Sequence, residues 1–229
     1  MKQPKLLYLV ISAMLFSCAD DGNTGVVENL PPAIPELNTP DNYELIKGGN
    51  VEFSWDESLD PEHESVSYNL QISRNIDFTD LFYSNRSETN SYETELKRGV
   101  PYYWRVRAMD QMRNTSDFSG YRQIYLDDPT LANYKPFAPE LISPVLNDTL
   151  SSNAVLLQWS CYDIDDDPLT YDIFLSENYP PDYLISTGQS GTSLHLSLES
   201  KPVYYWRVVA KDLDGAENKS PIWYFKTDL

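Results

Sequence analysis

Polar and apolar residues alternate along most of this chain. Val51, Phe53 and Trp55 fall on one face of an extended segment, as do Tyr68, Leu70 and Ile72. Further on, Val155, Leu157 and Trp159 align, then Tyr171, Ile173 and Leu175. Leu194, Leu196 and Leu198 share a face, with His195 and Ser197 opposite. A period of two is the signature of half-buried antiparallel strands. No segment sustains a helical period. Clusters of Gly, Pro, Asn and Asp separate the apolar runs at the spacing of a β-sandwich. The pattern predicts an all-β protein.

The pattern is also written twice. Pro35-Glu-Leu-Asn-Thr-Pro40 recurs as Pro139-Glu-Leu-Ile-Ser-Pro144, and Val51 to Trp55 recurs as Val155 to Trp159. Asp60-Pro61 is matched with Asp167-Pro168, and Tyr68 to Ser73 with Tyr171 to Ser176. Tyr-Tyr-Trp-Arg-Val occurs at 102–106 and again at 204–208. The order is shared and only loop lengths differ, so the chain holds two copies of one unit. Between them, Asp127-Asp128-Pro129 through Pro136 is short and holds two prolines, which favours a stiff joint.

Alternation divides the repeated motif. Tyr102, Trp104, Val106 and Ala108 point one way, and Tyr103, Arg105 and Arg107 the other. In the second copy Tyr204, Trp206, Val208 and Ala210 oppose Tyr205, Arg207 and Val209. The first set in each copy fits a sandwich core. The outward Tyr and Arg can stack across the sheet as cation–π pairs. Tyr103 and Tyr205 thus stay candidates for ligand contact.

The N-terminal prolines, Trp55 and Trp159, Tyr68 and Tyr171, and the pattern Tyr-x-Trp-x-Val-x-Ala in both copies resemble fibronectin type III domains in tandem. The resemblance covers nearly all of the chain beyond residue 32. It implies two immunoglobulin-like β-sandwiches, at 33–128 and 136–229, joined by a linker at 129–135. It places Tyr102 and Tyr204 at the tyrosine corner, whose hydroxyl bonds back to the backbone just upstream. The first unit departs from the pattern at Gln111-Met112-Arg113, where the second has Asp214-Gly215.

Residues 1–17 read as a targeting segment. Lys2 and Lys5 precede the 11-residue apolar run LLYLVISAMLF, too short for a bilayer span of roughly 20 residues. Leu15-Phe16-Ser17-Cys18 resembles a bacterial lipobox, which implies cleavage before Cys18 and a lipidated Cys18. Residues 18–32 then form a polar tether. Its Asp20-Asp21 pair resembles the surface-export signal of Bacteroidota lipoproteins. The expected location is the outer membrane, lipid-anchored and facing the cell surface, with a periplasm-facing orientation as the alternative.

Charge and cysteine content narrow the partners. Without residues 1–17, 15 basic and 35 acidic residues remain, a net charge of −20. Such a chain repels phosphate backbones, so nucleic acid is not an expected partner. It is repelled by anionic lipid too, so the lipid on Cys18 has to supply membrane attachment. With Cys18 lipidated, Cys161 has no partner for an intramolecular disulfide, and each unit relies on core burial.

No catalytic constellation is legible. His63 falls in a loop and His195 on a strand, and neither has a nucleophile or a second ligand near it in sequence. The chain is therefore read as non-enzymatic, with no obligatory cofactor. The acidic loops holding Asp163, Asp165 and Asp167, and Asp212 and Asp214, lie at the same end of such a sandwich. They are either charged, soluble turns or a Ca²⁺ site. Asp148-Thr149-Leu150 matches the short O-glycosylation pattern of Bacteroidota, with Thr149 the acceptor. The loop Asn178-Tyr179-Pro180-Pro181-Asp182-Tyr183 either stacks Tyr179 and Tyr183 on sugar rings or is a Pro-fixed strand connection. The function expected from all this is a lipid-anchored binding or adhesion module for a protein or an extracellular glycan. The alternative is a structural spacer or accessory subunit of an outer-membrane complex.

Overall fold

The computed structural model describes residues 28–228; Cys18 and the segment read as a signal peptide lie outside them. Every regular element among the described residues is a strand. The first unit holds β1 (Leu37–Thr39), β2 (Glu44–Ile46), β3 (Asn50–Trp55), β4 (Ser67–Ser73), β5 (Leu81–Ser87), β6 (Ser91–Glu95), β7 (Pro101–Met109) and β8 (Arg122–Leu126). The second holds β9 (Glu140–Ser143), β10 (Thr149–Leu150), β11 (Ala154–Ser160), β12 (Thr170–Ser176), β13 (Leu184–Gln189), β14 (Ser193–Ser197), β15 (Lys201–Lys211), β16 (Glu217–Lys219) and β17 (Trp223–Thr227).

The two units repeat one topology. In the first, β1-β3-β6 faces β2-β8-β7-β4-β5; in the second, β9-β11-β14 faces β10-β17-β15-β12-β13, with β16 paired to β15. The strand after the second long one (β5, β13) joins the larger sheet. This gives the all-β pair of sandwiches that the strand pattern predicts, in the fibronectin type III-like form that the resemblance implies. Register matches as well: Tyr103 lies opposite Gln123, and Tyr205 opposite Tyr224. β2 and β10 run parallel to β8 and β17 in the same way.

Each core is closed by the inward set of the repeated motif. Tyr102, Trp104, Val106 and Ala108 are buried with Phe53, Trp55, Leu70 and Ile72. Tyr204, Trp206, Val208 and Ala210 are buried with Trp159, Ile173 and Phe225. Phe53 meets Trp104 edge-on at 5.2 Å between ring centres. Trp159 and Trp206 meet likewise at 6.4 Å. Both tyrosine corners are present: the Lys97 N–H donates to the Tyr102 hydroxyl at 3.1 Å, and the Tyr204 hydroxyl donates to the Glu199 carbonyl at 3.2 Å.

Two local differences from the sequence reading are informative. The Gln111-Met112-Arg113 turn closes as the glycine-bearing one does. Arg113 takes φ 72° where Gly215 takes φ 82°, and Asp110 N–H meets Asn114 O at 3.1 Å as Asp212 N–H meets Ala216 O at 3.1 Å. A side chain in the left-handed region strains that turn without changing its path. The counterpart of Asp60 is Asp163, not Asp167. Both are buried, and both accept an N–H from two residues onward, Glu62 at 3.0 Å and Asp165 at 2.8 Å.

Trp104→Ala and Trp206→Ala are expected to cost about 3–5 kcal/mol each, since a fully buried indole leaves a cavity that this packing does not collapse into. Tyr102→Phe, which removes only the corner hydroxyl, is expected to cost about 1 kcal/mol. Urea unfolding of the full chain followed by Trp fluorescence measures all three.

Candidate functional site

The outward face of β7 is covered at Tyr103 and half-buried at Arg105 and Arg107. Tyr103, expected as an open contact residue, is 1% exposed and lies between the two units against Phe78 and Ala138. Its hydroxyl accepts from Asn218 Nδ2 at 3.0 Å, and Asn218 also donates to the Pro136 carbonyl at 3.0 Å. Burial pushes the Tyr103 phenol up to about 12. Tyr103 is therefore a joint residue and is withdrawn as a ligand contact. Its neighbours Arg105 and Arg107 stack as the alternation implied: Arg105 lies over Phe78 at 3.9 Å and Phe118 at 4.0 Å, and Arg107 over Phe118 at 4.7 Å.

The joint is built from the linker and from β8. Phe137 is buried in an aromatic nest, 5.0 Å from Tyr43 and 5.1 Å from Tyr125 between ring centres. Tyr134 packs edge-on to Tyr125 at 5.3 Å. The amide of Gln123 makes a two-way bond with the backbone of Ala138, donating to its carbonyl at 3.0 Å and accepting its N–H at 2.8 Å. Glu140 accepts from Asn42 at 3.0 Å and from Gln123 at 3.2 Å. Tyr43 sits at φ 66°, a strained conformation for an aromatic residue, and its N–H bonds to the Gln123 carbonyl at 2.7 Å. Cys161 belongs here too. Its thiol is half-buried, donates to the Phe137 carbonyl at 3.2 Å, and is pushed up to about 12 by burial. A thiol so far from ionised is a poor nucleophile.

On the second unit the equivalent position is only half-buried. Tyr205, which matches Tyr103, meets Tyr179 edge-on at 5.5 Å and Tyr224 at 6.1 Å. Tyr224 matches Gln123, and Leu146, exposed, matches Asn42 by position in the loop before β10. Tyr205 on β15 and Tyr224 on β17 form a stripe that Tyr179, from the loop between β12 and β13, extends. Tyr179 and Tyr183 are each 69% exposed. An open cleft of about 360 Å³ is lined by Leu175, Ser176, Glu177, Asn178, Tyr183 and Tyr204. Tyr179 and Tyr205 thus meet, Tyr183 lines a cleft with Tyr204, and Tyr103 falls at the joint.

The remaining candidates are dispersed. His195 is exposed on β14, and His63 is exposed in the loop between β3 and β4. Thr149 is exposed on β10, and its N–H bonds to Asp148 Oδ1 at 2.8 Å. Asp163 and Asp212 are buried, Asp165 and Asp214 are exposed, and Asp167 is half-buried. Among the described residues, no three acidic, His or Cys side chains stand close enough together, as they lie, to hold a metal ion.

Sequence reasoning passed over Tyr43, Gln123 and Phe137, which make the joint. One signal available was Phe137-Ala138, an apolar pair set between Pro136 and Pro139 just after the linker. The recurrence of Asn29 and Asn133 three residues before Pro32 and Pro136 was also open to view.

No family model matches this sequence, and no curated protein does. Among solved structures, the chain is similar to the fibronectin(III)-like modules of Clostridium thermocellum CbhA, with 15% identity over 86% of this chain and 94% of that one and a TM-score of 0.33. It is similar to the FN1–FN3 domains of chicken CNTN1, with 14% identity over 88% of this chain and 70% of that one and a TM-score of 0.34. The fibronectin type-III domain of human fibronectin type III domain containing protein 3 matches 48% of this chain over its whole length, at 18% identity and a TM-score of 0.34. These likenesses are too distant to carry any property of those proteins to this chain.

Gln123→Ala leaves the Ala138 N–H and carbonyl buried without partners, each worth about 1–3 kcal/mol. The variant is expected to loosen the joint while both cores persist. Amide hydrogen exchange should show Ala138 losing protection while the amides of β7 and β15 keep theirs.

Proposed function

We propose that this protein is a non-enzymatic, lipid-anchored binding module of the cell envelope. Its second unit recognises a protein, or an extracellular glycan, through the stripe Tyr179, Tyr205 and Tyr224. The supporting observation is the equivalence of Tyr205 and Tyr224 to Tyr103 and Gln123. In the first unit that position is filled by a protein surface; in the second the same position carries three tyrosines, one of them largely exposed. A contiguous aromatic patch of that kind is typical of interaction sites, and Tyr is prominent among interface hot spots. The repeat therefore favours a protein partner over a sugar. The open cleft beside Tyr183 supports the glycan reading, since aromatic platforms with nearby polar groups suit a sugar ring.

The anchor is Cys18, with the protein on the outer membrane and facing outward. A second reading is a spacer or accessory subunit. It draws on the buried joint, which ties the two sandwiches together through Phe137, Gln123 and Tyr103.

Cross-linking on intact cells followed by quantitative pull-down tests the stripe. Tyr179→Ala with Tyr224→Ala is expected to lower partner recovery at least about tenfold. A partner recovered equally by wild type and variant favours the accessory subunit. Micromolar glycan binding lost with Tyr183→Ala assigns the cleft to a sugar. Cys18→Ala is expected to abolish labelling by fatty acid, and protease shaving of intact cells is expected to remove the protein; its survival would place it facing the periplasm.

A further inference from the structure

The leading ends of the two sandwiches are wired alike. In the first unit Asn29 Nδ2 donates to Asp110 Oδ2 at 2.6 Å, and the next N–H, from Leu30, donates to Glu62 Oε2 at 3.2 Å. In the second, Asn133 Nδ2 donates to Asp212 Oδ2 at 2.9 Å, and the next N–H, from Tyr134, donates to Asp165 Oδ2 at 2.6 Å. In both, a segment entering the sandwich draws together two acidic loops. One follows β3 or β11, and the other follows β7 or β15.

Each of these meeting points includes a buried carboxylate with one oxygen unused. Asp60 is 5% exposed, and its Oδ1 takes the N–H groups of Glu62 and Glu64, both at 3.0 Å. Asp163 is 3% exposed, and its Oδ1 takes the Asp165 N–H at 2.8 Å. Oδ2 of Asp60 and Oδ2 of Asp163 are both buried without a partner, and so is Oε2 of Glu64. A buried, unpaired carboxylate oxygen is costly, and each such atom calls for an ion, a water or a strain account. A single instance has many causes. Here two instances stand at matched positions, each in an acidic loop that the entering segment ties to a second acidic loop.

We infer that each sandwich carries at its leading end a site for a hard divalent cation of the calcium class. The first site is built on Asp60, Glu62 and Asp110, and the second on Asp163, Asp165 and Asp212. Three carboxylates in each site supply the charge, and Asp60 Oδ2 or Asp163 Oδ2 is the fixed inner ligand. Calcium takes six to eight oxygens in a tolerant geometry, whereas magnesium demands a near-ideal octahedron. Glu64, Asp167, water and the side-chain oxygens of Asn29 and Asn133 are available for the remaining positions. As the side chains lie, they do not converge on one point, because Glu62, Asp165, Asp110 and Asp212 are each turned to a donor of the entering segment. Binding exchanges those donors for the ion. Burial raises the Asp163 pKa; the N–H groups of residues 165 and 167 pull it down, and the carboxylates of Asp165 and Asp167 push it up again. Asp214, at the exposed tip of its turn, is not part of this arrangement.

The second site lies in the joint. Asn133 and Tyr134 belong to the linker, and Tyr134 packs on Tyr125 of the first unit. Occupancy there couples the linker to the second sandwich. The first site has the same build at the end where the chain enters the first sandwich.

Calorimetric titration of the chelated full chain with calcium chloride alone is the test. Two sites per chain are expected, with dissociation constants of about 10⁻⁴ to 10⁻³ M, the range of extracellular modules. Asp60→Asn and Asp163→Asn are each expected to lower the stoichiometry from two to one, and together to abolish binding. Circular dichroism in chelator establishes that each variant is folded. Tb³⁺ luminescence sensitised by Tyr134, and reversed by Ca²⁺, gives a reading on the wild-type chain that needs no variant. Neither heat nor Tb³⁺ displacement at about 10 mM calcium overturns the proposal and leaves water at these oxygens. Binding that survives the double substitution, or a single site lost with only one of the two, overturns it as well.

Discussion

The structure depends on one repeated event, the burial of a Trp-bearing strand against the facing sheet. Trp104 on β7 closes on Phe53 and Trp206 on β15 closes on Trp159. The facing of the neighbouring strand residues follows from these two contacts. Because side chains alternate along a strand, fixing Trp104 inward fixes Tyr103 outward, and fixing Trp206 inward fixes Tyr205 outward. The tyrosine corners then hold the entry to each strand, and the loops at the two ends of each sandwich take their places. A one-residue slip would empty the core and the joint together.

The same outward face has two fates. On the first unit it is consumed by the linker and the start of the second. Tyr103, Gln123 and Tyr43 exchange solvent for Phe137, Ala138 and Asn218. On the second unit its equivalent carries Tyr179, Tyr205 and Tyr224 and keeps a face open. A fold written twice thus yields one internal interface and one free aromatic stripe, and the difference between them carries the functional reading. The acidic ends obey the same logic in reverse. There the two units do not diverge, and identical wiring around Asp60 and Asp163 argues for a shared physical need.

Much of this was legible in the chain itself. Period-two alternation gave the strand class and the inward set, because a strand with one buried face has little freedom in which residues it hides. The duplicated order gave two sandwiches. The offset of the Tyr-Tyr-Trp-Arg-Val motif brought Tyr103 and Tyr205 to equivalent places. Their difference was not legible, since alternation reports which side of a sheet a residue takes and not what lies on that side. Asp60 was likewise matched by its neighbour Pro61 to the wrong aspartate, because the loops differ in length and only the hydrogen bonds of the folded loop show which carboxylate turns inward.

The sequence by itself determined the class of fold, its duplication, the core residues of β3, β4, β7, β11, β12 and β15, and the polarity of the repeated strand. These follow from local periodicity, which the chain carries in one dimension. Only the tertiary structure decided that Tyr103 is a joint residue, that Gln123 clasps Ala138, that Tyr179 meets Tyr205, and that Asp60 and Asp163 each bury an unpaired oxygen. Each of these is a meeting of segments distant in the chain or a choice of direction inside a loop. Such outcomes depend on loop length and on the packing of one sandwich upon the next, neither of which alternation encodes.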